Sequence, residues 1–360
     1  MLTCLLWLTA MAGAQAQTAD WKKAWDETVA GAKAEGEVVV MGQPSPAMRN
    51  VIIPAFTKKF GIPVTHIAGH LSTLVGKVRT ERASGINSID VFMVNASTSM
   101  NTLYREKMID PLKPLLLLPE VTEGAKWKKG ELPFVDPEKK YLLMLFSSVD
   151  SLLFINADQV KPEEIRSAKD LLNPKWKGKI STEDPRAQGG SGVQSAVHFY
   201  TQMGPDFVKQ LYVDQEPVIQ KDRRLLTDWM ARGSQPICLT CRLDDARTLI
   251  AEGYKLIEVF ELSDMKNRVT PSPSLVSLAN KAPHPNAARL FLNWIASKEA
   301  LELYSRQAMF ATLRTDVDES FLDPDVIPKP GKDYVDNTDM NWVAKGQRET
   351  ADKVRALIKN

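Results

Sequence analysis

The sequence predicts an α/β protein of two lobes, each a mostly parallel sheet flanked by helices. Three observations carry this expectation. Apolar runs of strand length alternate with amphipathic helical stretches. The alternation is set up twice, with a change of texture between the two sets. The 360 residues exceed what one small core needs. At 44% hydrophobic and 25% charged, the composition is ordinarily globular, which sets aside disorder, collagen and coiled coil. With 46 Lys and Arg against 44 Asp and Glu, the chain lacks the basic excess of a nucleic-acid binder, and no nucleic-acid partner is expected. Three cysteines exclude a disulfide-dense scaffold and a multi-cysteine metal cluster.

The first element is not expected to belong to the fold. An apolar run over residues 5–12 leads into Ala14-Gln15-Ala16, the pattern of a signal peptide spanning residues 1–16 and cleaved near Ala16. It departs from the pattern in having no Lys or Arg ahead of the apolar run. Cleavage removes Cys4 and leaves Cys238 and Cys241, an even pair in an oxidising compartment. No other stretch reaches the roughly 18 apolar residues of a membrane span.

Asp20 is placed to cap a helix with Trp21, Trp25 and Val29 on one face, and Gly36 to end it. Glu37-Val38-Val39-Val40-Met41 reads as a buried parallel strand. A helix follows with Val51, Ala55 and Phe56 inward, kinked or delayed by Pro54. Pro63-Val64-Thr65-His66-Ile67 is a second strand, Ser72 starts a helix with Leu74, Val75 and Val78 inward, and residues 89–94 are a third strand. This order implies a parallel sheet with right-handed crossovers.

The texture changes around residues 141–155, where two apolar runs flank Ser147-Ser148-Val149-Asp150-Ser151. A second set follows: strands at 179–181, 217–219 and 236–239, with helices near 193–200, 225–231 and 246–251. Residues 275–278 form a return strand, with helices near 286–295, 297–307 and 348–358. The expected division is a discontinuous first lobe (17–147 and 270–312), a second lobe (148–269), and a C-terminal helical segment (313–360) packing back on the lobes.

Catalytic signatures are missing. The four histidines, His66, His70, His198 and His284, form no H-E-x-x-H pair, so no zinc site is signalled. No Gly-x-Ser-x-Gly, Walker A or Gly-x-Gly-x-x-Gly occurs. His198 reads as a packed core histidine. Cys238-Leu239-Thr240-Cys241 is a C-x-x-C whose first cysteine ends a strand, whereas a redox motif places it at a helix N-terminus. A local disulfide or two buried thiols is the preferred reading.

What remains is a set of loops at strand carboxyl ends, where open α/β sheets bind ligands. They hold Gln43 and Ser45; His70, Ser72 and Thr73; Asn95 and Ser97; Arg186, Gly189, Gly190 and Ser191; and Arg242 and Asp244. Ser148 and Asp150 join them from the passage between lobes. Helix starts at Ser72 and Ser191 offer free N–H groups and a favourable dipole to an anion. Arg186 adds a planar fork suited to carboxylate or phosphate. Taken singly, Ser72 and Ser191 are explained as well by helix capping and Arg186 by a surface ion pair. Five such loops from two lobes favour a binding site.

Asp170-Leu171-Leu172-Asn173-Pro174-Lys175-Trp176-Lys177-Gly178-Lys179-Ile180, Asp184-Pro185-Arg186-Ala187 with its glycine loop, and Ala282-Pro283-His284-Pro285-Asn286-Ala287-Ala288 stand in a characteristic order. With Ala34-Glu35-Gly36-Glu37-Val38 before them and Ser297-Lys298-Glu299-Ala300 after, the chain resembles the iron(III)-type extracellular solute-binding proteins of ABC transporters from about residue 21 to residue 307. The resemblance implies a type II periplasmic binding-protein fold, two lobes joined by crossover strands and closing over a small solute, a periplasmic location, delivery to a membrane permease, and no chemistry. Ferric members hold iron with a histidine, a glutamate and a Tyr-Tyr pair. The matching places here hold Pro44, Asn95 and Leu243-Asp244, and no Tyr-Tyr pair exists in the chain.

A small organic anion is therefore the expected solute: a carboxylate, phosphonate or phosphate ester. Arg186 and Arg242 motivate this reading: Arg186 would clamp the anion, Ser72, Thr73, Gly190 and Ser191 would donate hydrogen bonds, and Gln43, Asn95 and Asp150 would read the remainder. The protein is expected to be a monomer without metal or cofactor. The alternatives are a ferric-iron binder of the same family and a bilobal sensor or enzyme outside transport. A thiol oxidoreductase built on Cys238 and Cys241 is the least favoured reading.

Overall fold

The structure is a computed structural model that describes residues 5–187, 190–271 and 273–358, with side chains from Asp20 onward except that of Asp244. In chain order the elements that matter below are α1 (Leu5–Glu35), β1 (Val38–Gly42), α2 (Ile53–Phe60), β2 (Val64–Ala68), α3 (Leu71–Ala83), β3 (Val91–Val94), β4 (Ile109–Asp110), β5 (Leu143–Met144), β6 (Ser148–Val149), β7 (Leu153–Asn156), β8 (Ile180–Thr182), α4 (Ser191–Met203), β9 (Val218–Ile219), α5 (Arg223–Ala231), β10 (Ile237–Cys238), α6 (Leu243–Ala251), β11 (Leu256–Val259), β12 (Arg268–Thr270), β13 (Leu275–Ala279), α7 (Pro285–Ile295), α8 (Lys298–Ala308), β14 (Val335–Asp336) and α9 (Gln347–Leu357). They fall into two compact units. Unit 1 takes Met1–Asn95, Thr102–Phe146 and Pro273–Phe321; unit 2 takes Ala96–Asn101, Ser147–Ser272 and Leu322–Asn360.

Unit 1 is built on the strand order β2-β1-β3-β13-β4, with β5 also paired to β13. The first three strands are parallel, with Val38 opposite Val64 and Val40 opposite Val91. The return strand β13 runs antiparallel to β3. β1, β3 and β13 are buried throughout, which is why they read as unbroken apolar runs. On this sheet α7 buries Ala287, Ala288 and everything from Leu290 to Ile295. Phe56 of α2 packs edge-on to Phe291 and Trp294, each ring 5.3 Å away.

One sequence expectation changes in unit 1. Asp20 does not cap a helix, because α1 runs without a break from Leu5 to Glu35. Those 31 residues contain no proline, so nothing stops the helix before Gly36, which ends it in a left-handed conformation. Ahead of α2, a π-helical turn (Met48–Ile52) precedes Pro54. The ring removes one N–H, and the wider turn routes the Ile53 N–H back to the Met48 carbonyl. The far end of α1 is pinned to α7: Glu35 accepts from the Asn286 and Ala287 N–H groups at 3.1 and 2.8 Å. A Cβ on Gly31 would sit 2.6 Å from the Asn286 side chain, so glycine permits the close approach.

Unit 2 has the strand order β11-β7-β10-β8-β9. β9, β8 and β10 are parallel; β7 runs against β10 and β11. Its core gathers Ile155, Trp176, Ile180, Val193, Val197 and Leu211, with Ala351, Val354 and Ile358 from the C-terminal end of the chain. A separate three-stranded sheet, β14-β12-β6, sets Thr270 opposite Ser148 and pairs β14 alongside β12. β11, β12 and β14 were not expected from the sequence. Among the described residues, no helix is long and apolar enough to cross a membrane.

Candidate functional site

In unit 1 the parallel strands β2, β1 and β3 are neighbours, so their carboxyl ends share one edge of the sheet. That edge carries Gln43 and Ser45 after β1, His70, Ser72 and Thr73 after β2, and Asn95 after β3. Six of the expected residues are thus brought together. Their roles differ from the expectation at two positions. Ser45 caps the next helical turn, its Oγ accepting from the Met48 N–H at 3.2 Å and lying 3.4 Å from the Tyr304 hydroxyl. Ser72 does not cap α3. The helix starts one residue earlier, at Leu71, with His70 in the capping position and no side-chain cap bond. Ser72 turns its hydroxyl to His70 instead, 2.8 Å from Nδ1. Gln43, His70, Ser72 and Thr73 are exposed.

In unit 2 the loops after β8, β9 and β10 share an edge in the same way. Here the helix N-terminus expected to bind solute is already occupied. Glu183 Oε2 accepts from the Ser191 N–H at 2.7 Å and the Gly192 N–H at 3.0 Å. The glycines make room for it. Gly190 has φ +94 and a Cβ there would fall 3.0 Å from the Glu183 carboxylate; one on Gly192 would fall 2.4 Å from the Glu183 carbonyl. Gly189 lies outside the described residues.

Arg186 is tied to its neighbour. Its Nε and Nη2 donate to the Asp184 carboxylate at 2.8 and 3.2 Å, and the side chain stays 41% exposed. The guanidinium holds the Asp184 carboxyl below its ordinary range. Arg242 occupies the capping position of α6 without a side-chain cap bond. Its N–H donates to Thr227 Oγ1 at 3.0 Å. Its guanidinium stands 3.7 Å from Asp245, with 28% of the side chain exposed. The side chain of Asp244 is outside the described set.

Ser148 and Asp150 are placed elsewhere in unit 2, at the three-stranded sheet. Asp150 accepts from the Thr270 hydroxyl at 2.8 Å and from Arg268 Nε at 3.3 Å; Ser148 is buried. Ser97 groups with unit 2 and accepts from Asn101 Nδ2 at 3.3 Å, an amide that also donates to the Val343 carbonyl at 3.1 Å. His198 is buried on α4. Burial, helped by the Arg268 charge, lowers its pKa to about 3, so it is neutral at ordinary pH and fits the core role. Cys238 and Cys241 form a disulfide, both residues buried. Among the described residues, no three His, Cys, Asp or Glu side chains gather as a metal site requires.

Three residues that shape the unit 2 edge were missed. Glu183 and Arg268 carried no motif. Arg223 carried none either; it follows Asp222, which caps α5 through the Arg224 N–H at 2.9 Å.

Two α/β units, each with polar loops at the carboxyl edge of parallel strands, have the fold of the type II periplasmic binding proteins. Residues 37–309 match the profile of the bacterial extracellular solute-binding proteins, and the chain belongs to this family. Among solved structures it is similar to the periplasmic binding protein AfuA from Actinobacillus pleuropneumoniae, with exogenous fructose-6-phosphate bound (18% identity, TM-score 0.70, covering 90% of this chain and 99% of that one). It is also similar to iron-bound HitA from Pseudomonas aeruginosa (17%, 0.68, 88% and 99%) and to a two-component system protein of signal transduction (19%, 0.65, 89% and 99%). At these identities the likeness speaks for the fold.

Proposed function

We propose that the protein captures a small organic anion, a carboxylate, phosphonate or phosphate ester, in the periplasm and delivers it as a monomer to an ABC transporter permease. The observation that carries the solute class is the unit 1 edge. There α3 opens without a side-chain cap, and the exposed His70, Ser72 and Thr73 stand at its positive end. In unit 2, Arg242 supplies a partly exposed guanidinium. Arg186 joins it by exchanging Asp184 for the solute. That exchange costs little, because an exposed ion pair contributes about 0–1 kcal/mol. Gln43, Asn95 and Asp150 read the rest of the molecule.

Ferric iron is disfavoured on the donor set: a hard trivalent cation needs several anionic oxygens, and Pro44 and Asn95 stand where ferric members carry ligands. The reading is non-catalytic, and turnover of a bound solute would overturn it. The test is thermal unfolding across a panel of carboxylates, phosphonates and phosphate esters with Fe³⁺ beside them. A true ligand at a hundred times its Kd adds about 2.7 kcal/mol, a shift of several degrees. Stabilisation by Fe³⁺ with no response to any anion sinks the proposal.

A further inference from the structure

The segment 239–242, at the carboxyl end of β10, is fastened from several sides. Arg223, the first residue of α5, donates from Nε to the Thr240 carbonyl at 2.9 Å and from Nη2 to the Cys241 carbonyl at 2.7 Å. A guanidinium is a planar fork with donors in fixed geometry, so one side chain fixes two successive peptide planes. One turn along α5, Thr227 Oγ1 accepts the Arg242 N–H at 3.0 Å. From the other side, Thr240 Oγ1 accepts the Glu183 N–H at 2.6 Å, which couples the segment to the loop after β8. The disulfide of Cys238 and Cys241 closes the segment on itself.

These bonds converge on the backbone immediately before Arg242. Among the described residues they share no partner with the Arg242 guanidinium, which stands 3.7 Å from the Asp245 carboxylate. Ordinary loop closure needs no such set of fastenings, whereas binding of a solute by an arginine gains from a backbone already held in the bound geometry.

We propose that Arg223 is a positioning residue, which together with the disulfide holds residues 240–242 so that Arg242 meets the solute in a fixed orientation. Arg223 touches no solute itself. The inference rests on the anion reading given above and adds the device that makes Arg242 effective. One consequence is that solute affinity depends on thiol oxidation. Reduction by a dithiol converts the Sγ–Sγ bond into two thiols, the reagent closing to its cyclic disulfide, and the segment loses one of its fastenings.

The test has one readout without solute and one with it. In Arg223→Ala, amide hydrogen exchange of residues 240–242 in the unliganded full-length protein is expected to speed at least tenfold. Affinity for the anion selected from the panel is expected to fall at least tenfold, with thermal unfolding of the free protein within a few degrees of wild type. Arg223→Lys, with one compact donor group in place of the fork, is expected to recover part of both effects. Dithiothreitol applied to the wild-type protein is expected to weaken binding in the same direction, and it decides the matter should Arg223→Ala fail to fold. Unchanged exchange in Arg223→Ala overturns the proposal, as does faster exchange with unchanged affinity. Failure of the wild-type protein to bind any anion removes the functional reading instead, and the exchange rates alone then decide whether Arg223 holds the segment.

Discussion

Each unit buries an arginine, and the two are satisfied differently. In unit 1 the Arg314 side chain is 0% exposed. Its Nε and Nη2 meet the Asp316 carboxylate at 2.8 and 3.0 Å, and Nη1 donates to the Glu120 and Ala296 carbonyls at 3.0 and 3.2 Å. The charge is enclosed and its donors are aimed at protein acceptors. In unit 2 the Arg268 side chain is 11% exposed and its bonds to Asp150 Oδ2 and the Gln194 carbonyl are both 3.3 Å. Toward the strand-end loops, Arg186 and Arg242 are more exposed, at 41% and 28%. Arg314 is fully committed to protein groups, whereas Arg186 and Arg242 keep exposed surface, as the solute role proposed above requires.

The largest effect expected from this contrast is at Arg314. Removing one partner of a buried charged pair costs roughly 3–5 kcal/mol, so Arg314→Leu should lower the unfolding free energy from urea denaturation by the low end of that range, Asp316 being partly exposed. A cost under about 1 kcal/mol would erase the distinction between the two units. Arg242→Ala comes next, and its effect is on binding. Loss of charged hydrogen bonds worth about 2 kcal/mol should weaken anion affinity some thirtyfold in calorimetry, with stability within about 0.5 kcal/mol of wild type. An equal loss of stability would move Arg242 into the Arg314 class. Glu183→Gln should cost about 1 kcal/mol, as removing a helix cap does, measured by chemical denaturation.

The smallest effect is at Arg186, where Arg186→Ala should change stability by less than about 1 kcal/mol. Its signature is in the acid range. Arg186 depresses the Asp184 pKa, so the pair's contribution is present above the unfolded carboxylate value, near 4, and is lost as pH falls through the lower folded value. The variant should show a correspondingly shallower acid slope. An unaltered slope would mean that the pair contributes nothing to the folded state.

Much of the scaffold was legible because burial on both faces leaves an uninterrupted apolar run. β1, β3, β10 and β13 all announce themselves in that way, and α7 and α8 follow their 3.6-residue periodicity. β12 and β14 could not be read, because Arg268–Thr270 and Val335–Asp336 are too short and too polar to form a run. The site was legible as a set of loops, since topology alone places strand carboxyl ends at one edge. Its wiring was not. That Glu183 would reach residues 191 and 192, or that Arg223 would bond carbonyls seventeen and eighteen residues on, depends on side-chain paths that no periodicity encodes.

The carboxylate of Glu183 has a consequence of its own. It is a competitor carried on the same chain, already hydrogen-bonded to the α4 amides. Any anion directed at that helix start is in competition with a resident that never diffuses away. Only a solute with stronger or more numerous bonds to offer displaces it, and stray monovalent anions at lower concentration are turned away. Under the solute reading proposed above, selectivity at that position is a matter of displacement rather than of vacancy.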